Sequence, residues 1–240
     1  MFGTLALSNF DLLILVLICF FAGLIRGFSG FGLSAFVMSL ALTIIPPIEL
    51  IPVCWWMEFV ASVFMIRNGW KDSDKKISII LWLGAVFGLP VGIALTTILD
   101  FQTSKIVALV LILILALILL RNFKIQFLST SVGTISSGVL AGAATGLASI
   151  GGMIVAIYVL ASQNSARRVR ASIVLYIFLN SVTTFIFLIL FDVMDHKAFV
   201  RGVLLAVPSS IGVVLGSILF MQKLEKYYRP FSLGLLISFS

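Results

Sequence analysis

A run of small residues, Ala22-Gly23 followed by Gly27 and Gly32, returns as Ala141-Gly142, Gly146 and Gly151, displaced by 119 positions. Other pairs keep nearly the same step: Ser62 recurs as Ser181 at 119, and Gly84 and Pro90 recur as Gly202 and Pro208 at 118. Glycine and proline are frequent in membrane helices, so one match carries little. A shared offset points to a duplicated unit. A chain that repeats itself in this way is expected to fold as two like halves, each with an apolar helix interrupted at its glycine-rich stretch, the pattern of transporters that hold a solute near the bilayer midplane.

The medium follows from the rest of the chain. With 61% hydrophobic and 10% charged residues, and a mean hydropathy of +1.24, the 240 residues lack the polar surface to cover a soluble globule. Apolar segments are read at 9–28, 31–45, 48–66, 77–98, 105–121, 132–148, 151–163, 169–191, 199–220 and 230–240, all helical because lipid cannot satisfy open backbone. Segments 31–45 and 151–163 are short, as if each dips in and turns back beside its glycine-rich partner, and the last is expected to be cut short. Residues 1–25 hold no Lys or Arg, so the first span is not read as a cleaved signal peptide. The expected fold is therefore an all-α polytopic membrane protein. It forms a single transport domain over 1–240, with about 8–10 transmembrane or re-entrant helices in two Gly-rich halves, about 9–121 and 132–240.

The net charge of +7 sits in short connections, not on a basic face, which excludes nucleic acid as the partner. Arg67, Lys71, Lys75 and Lys76, then Arg121 and Lys124, then Arg167, Arg168 and Arg170, and lastly Lys223, Lys226 and Arg229 mark four connections as cytoplasmic. The connections at 46–49, 100–105 and 192–201 are poorer in cations, so both termini are expected outside. The charge bias also flips between matching loops of the two halves. An odd number of crossings per half requires the same thing, so the repeat is expected to be inverted. The two cysteines, Cys19 and Cys54, lie in apolar runs without metal-ligand spacing and read as buried small hydrophobes. No metal or other cofactor is expected.

Chemistry is expected at the two helix breaks. A broken helix bares N–H groups with partial positive charge, which bind an anion without a charged side chain. Gly27, Ser29, Gly30 and Gly32 supply the first break, and Ser149, Gly151 and Gly152 the second; glycines outside these clusters read as sites of close helix packing. Arg26 abuts the first break, with Thr145 its counterpart. Glu58 lies near the centre of segment 48–66, with Ile177 its counterpart. An ionised group at such depth costs at least about 2.5–3.5 kcal/mol and is kept for pairing or function. Three readings follow: an Arg26–Glu58 pair, an anion held by Arg26, or a coupling proton carried by Glu58, since a carboxyl removed from water favours its neutral form. Asn180, Thr183 and Thr184 share one helical face and either line a path or bond a neighbouring helix. Trp55, Trp56, Trp70 and Trp82 read as an interfacial aromatic belt.

The Gly-rich first helix, its mid-chain copy and the proline within a later span resemble the sulfite exporter TauE/SafE family of membrane permeases over essentially the whole sequence. That resemblance implies transport of sulfite, organosulfonates or related organosulfur or carboxylate anions in the cell's inner membrane, with export as the direction. It carries the substrate region onto Gly27–Gly32 and Ser149–Gly152, where this chain has Ser29-Gly30-Phe31-Gly32 and Ile150-Gly151-Gly152 in place of a triple glycine. The expectation is a secondary active anion transporter, proton-coupled, in which one repeat moves against the other around a midplane site. Its partners are a small anion and the lipid bilayer, with a homodimer left open. A passive anion channel is the alternative. A rhomboid-like serine protease, suggested by Gly27-Phe28-Ser29-Gly30, lacks a base, because the lone histidine, His196, lies in a short loop.

Overall fold

A computed structural model describes residues 8–120, 130–160 and 164–221. Among these the chain is helical without strands: α1 (Asn9–Ser29), α2 (Leu33–Ala41), α3 (Pro47–Asp72), α4 (Lys75–Ile98), α5 (Phe101–Leu120), α6 (Ser131–Ala148), α7 (Gly151–Leu160), α8 (Ala166–Leu190) and α9 (His196–Met221). Five of them, α1, α3, α4, α8 and α9, are long and apolar enough to cross a membrane. By contrast, the 9 residues of α2 and 10 of α7 rise only about 14–15 Å, half of a hydrocarbon core of about 30 Å. Expected segment 230–240 and the basic groups at 121–124 and 223–229 lie outside the described residues.

Local chemistry sets the ends. Ser8 caps α1 by accepting from the Asp11 N–H at 3.0 Å, and Asp74 caps α4 through the Ile77 N–H at 3.2 Å. Between α1 and α2 the chain turns at Gly30 and Gly32, whose φ values of 86° and 89° suit glycine. Two helices run further than the apolar pattern suggests: α3 continues to Asp72 and α8 begins at Ala166. Arg67, Lys71, Arg167, Arg168 and Arg170 therefore sit on helical turns, not in loops; long cationic side chains allow this because their charged heads can reach a polar partner or the membrane surface from a helical backbone.

The packing is reciprocal between halves. With α1–α4 matched to α6–α9, the contact of α1 with α9 answers that of α6 with α4, and α1–α2 answers α6–α7. Both long pairs run parallel and approach until only glycine fits. A β-carbon on Gly23 or Gly27 would overlap the carbonyls of Ser209 or Val213, and one on Gly84, Gly88 or Gly92 those of Ile135, Val139 or Ala143. The outer glycines thus serve packing, as the spacing predicts. Central α3 and its counterpart α8 run in opposite directions, with Trp55 beside Ser181 and Phe185, and Gly69 beside Val174 and Ala171.

Charge sorts to the two ends. Arg168 lies 3.5 Å from Asp74, and the Asp74 N–H donates to Ser172, so two of the basic connections meet at one end of the bundle. At the other end Arg201 pairs with Glu49, and a cavity of about 320 Å³ is bordered by Glu49, Asp192 and Asp195.

Candidate functional site

Arg26, fully buried on the last turn of α1, donates from Nε to Glu58 Oε2 at 2.7 Å, from Nη2 to Ser62 Oγ at 3.0 Å, and from Nη1 to the Gly30 carbonyl. Glu58 Oε1 in turn accepts from the Ser34 hydroxyl at 3.0 Å and the Ser34 N–H at 3.4 Å. Ser34 is the second residue of α2, so its N–H belongs to the first turn, where no intrahelical acceptor exists. The carboxylate of α3 thus rests on the N-terminus of α2, between a helix dipole and a guanidinium, as a bound anion would.

The second half repeats the framework with different chemistry. Thr145 replaces Arg26, and its hydroxyl donates to the Ala141 carbonyl at 2.8 Å. At the position matching Glu58, Ile177 brings its Cδ1 within 3.0 Å of where a β-carbon on Gly152 would lie. Among the described residues no carboxylate accepts from the N–H groups of Gly151 and Gly152, which start α7, as Glu58 accepts from Ser34. Beside them is a cavity of about 30 Å³, enough for about two waters at roughly 10–15 Å³ each. Thr145, Ser149, Gly152, Asn180 and Thr184 line it, and Glu58 borders it from the first half.

Two buried polar atoms in this lining lack hydrogen-bond partners. Asn180 Oδ1 accepts from nothing, and the Tyr176 hydroxyl, which interacts with Thr145, makes no hydrogen bond of good geometry. Such groups cost about 1–3 kcal/mol each when left unpaired in a protein interior. A further strain lies at Ser149, which caps α6 at a left-handed φ of 57°, where the first half uses Gly30. A side chain in that conformation costs about 1 kcal/mol or more and places a hydroxyl at the cavity wall.

The remaining residues of the first break are otherwise engaged. Gly27 packs on α9, and Gly30 abuts Arg170, whose Cγ would lie 2.9 Å from an added β-carbon. Ser29 donates to the Ile25 and Phe31 carbonyls at 2.8 and 2.6 Å, so its hydroxyl is no free nucleophile, and His196 opens α9. Gly32 caps α2. Gly151 packs on Ala141 and Thr145. The two breaks do approach: a β-carbon on Gly152 would lie 4.0 Å from Phe31 Cβ. The polar face of α8 divides between the two roles foreseen for it, Thr183 accepting from Trp82 Nε1 at 2.9 Å while Asn180 and Thr184 turn to the cavity.

Three residues carry roles that the sequence pattern concealed. Trp55 is buried at the cavity edge, stacked between Phe59 and Phe185 and donating to the Ser181 carbonyl at 2.7 Å, so it belongs to the core and not to an interfacial belt. Tyr176 is hidden in an apolar stretch of α8. Arg170 is buried, donating to the Gly27 and Phe28 carbonyls and to Ser217 Oγ. It thereby satisfies the open C-terminus of α1, where cations are favoured. A signal for it existed in the charge ladder 167–170: only one of three arginines there shares the apolar face of the helix.

The chain matches the family model described as Sulfite exporter TauE/SafE over residues 15–240. Neither a curated protein nor a solved structure gives a significant match.

Proposed function

The chain belongs to the sulfite exporter TauE/SafE family of membrane transporters, and on that premise we propose that it is a secondary active permease of the cell's inner membrane, binding small sulfur oxyanions, sulfonates or carboxylates at the N-terminus of α7. The observation that carries this reading is the contrast between halves. In the first, the Glu58 carboxylate fills the N-terminus of α2; in the second, the matching helix end adjoins a cavity with two unpaired polar atoms. Substrate takes in the second half the place that Glu58 takes in the first. Ser149, Gly151, Gly152, Thr145 and Asn180 form its surroundings, with Tyr176 added. Arg26, Gly27, Ser29, Gly30 and Gly32 act on substrate through the framework that presents Glu58.

Glu58 is the coupling group. It borders the cavity, so an ionised Glu58 and a bound anion repel, and a proton on Glu58 relieves that repulsion. Anion and proton then bind together. The opposed directions of α3 and α8 support an inverted repeat, and the small cavity fits a closed stage of alternating access. Because the glycine contacts tie each half to the other, the moving boundary runs between the α1–α9 and α4–α6 pairs and not between the repeats. The family's name favours export.

Uptake of radiolabelled sulfite into proteoliposomes under an imposed pH gradient tests the proposal. Flux should follow the gradient, fall at least about tenfold in Asn180→Leu, the equivalent of 1.4 kcal/mol of lost interaction, and lose its response to the gradient in Glu58→Gln. Undiminished flux in Asn180→Leu would move the site elsewhere, and flux indifferent to pH in the unmodified protein would remove the coupling.

A further inference from the structure

We propose that the anion taken at this cavity carries an O–H donor of its own, presented to Asn180 Oδ1; the proposal rests on the cavity being the anion site. The amide's orientation follows from its neighbours. Asn180 Nδ2 lies 3.4 Å from Thr145 Oγ1 and 3.5 Å from Thr184 Oγ1. Each hydroxyl has committed its proton elsewhere, Thr145 to the Ala141 carbonyl and Thr184 to the Asn180 carbonyl, both at 2.8 Å. Turning the amide over would set its oxygen against two hydroxyl oxygens, or make each give up a 2.8 Å bond for a longer one. The NH₂ group therefore faces the threonines, and Oδ1, on a residue that lines the cavity, is left as an acceptor without a partner.

A carbonyl oxygen only accepts. Set against an anion without hydrogen, it would oppose lone pair to lone pair. The site also offers donors: the Gly151 and Gly152 N–H groups at the start of α7. The lining is thus polarised, with donors for the charged oxygens and an acceptor for a hydrogen. A singly protonated oxyanion fits this arrangement, and so does an organic anion with a fixed hydroxyl.

Thermal unfolding of the full chain in lipid nanodiscs, with added anions, tests this, because a ligand of the folded state raises the midpoint by mass action. Two isosteric pairs serve as probes: hydrogensulfite against methanesulfinate, and 2-hydroxyethanesulfonate against 1-propanesulfonate, each exchanging O–H for a methyl group. The hydroxyl-bearing member should bind about ten- to hundred-fold more tightly in at least one pair. If the donor is the proton of the oxyanion, only the first pair separates, and the hydrogensulfite shift shrinks as pH rises and the dianion takes over. If it is a fixed hydroxyl, the second pair separates at every pH. Asn180→Leu should abolish the preference while leaving a shift from both members. Equal shifts within both pairs in the unmodified protein would overturn the donor requirement and leave the anion site standing. No shift from any of the four anions would instead overturn the site reading itself.

Discussion

The Arg26 guanidinium lies 2.7 Å from the Glu58 carboxylate, with the arginine side chain wholly buried and the glutamate side chain 12% exposed. Removing one partner strands a charge. Arg26→Ala should lower stability by about 3–5 kcal/mol, whereas Arg26→Leu with Glu58→Leu should lower it far less. Denaturant unfolding of the three proteins decides this, and equal losses in single and double variants would show that the two charges are not coupled.

At Ser149 and Tyr176, stability and transport should move in opposite directions. Ser149→Gly relieves the left-handed backbone, and Tyr176→Phe deletes an unpaired hydroxyl. Each should raise stability by about 1 kcal/mol and slow anion flux. If both variants unfold more readily than the parent, these groups are structural and not part of the site.

Glycines of the two kinds should respond differently to one added methyl group. In Gly88→Ala the new carbon overlaps the Val139 carbonyl of a neighbouring backbone, so the α4–α6 pair must separate, at a cost of about 3 kcal/mol. In Gly152→Ala it meets only the tip of Ile177 at 3.0 Å, which swings aside for about 1 kcal/mol or less. Yields and unfolding midpoints in detergent should show the contrast, and transport by Gly152→Ala should drop because the methyl group enters the cavity wall.

Arg170 and Arg168, two positions apart, should differ as sharply. Arg170→Met opens the carbonyls of Gly27 and Phe28 and should cost at least about 3 kcal/mol, since bonds to charged groups are worth roughly 1.5–3 kcal/mol each. Arg168→Ala removes a half-exposed 3.5 Å pair with Asp74 and should cost under about 1 kcal/mol, less in high salt. Similar losses would mean that Arg170 is solvated and does not hold the end of α1.

The helices were legible because lipid leaves the backbone no other choice, and hydropathy alone locates α1, α4 and α6 to within a residue or two. The glycine breaks were legible because Gly30 and Gly32 need positive φ. The allocation of function between the halves was not. It depends on Glu58 reaching from α3 to Ser34 on α2, 24 residues away in sequence, and on Ile177 standing at the matching place. The identity of an equivalent residue is visible in the sequence, but the atom that it faces is not. Tyr176 and Trp55 escaped for a related reason: aromatic residues in an apolar run look alike whether they meet lipid, core or a polar cavity.

The parallel contact between α1 and α9 also sets an order of events at birth. α1 leaves the ribosome long before its partner, and at about 5–20 residues per second the stretch from Ser29 to His196 takes on the order of ten seconds or more. Throughout that wait its glycine face lacks the helix on which it packs in the finished fold. Arg26 does not wait as long, because α3 delivers Glu58 early in synthesis. The ion pair therefore gives the nascent first half a neutral interior while it stands alone, and the late arrival of α9 closes the fold around it.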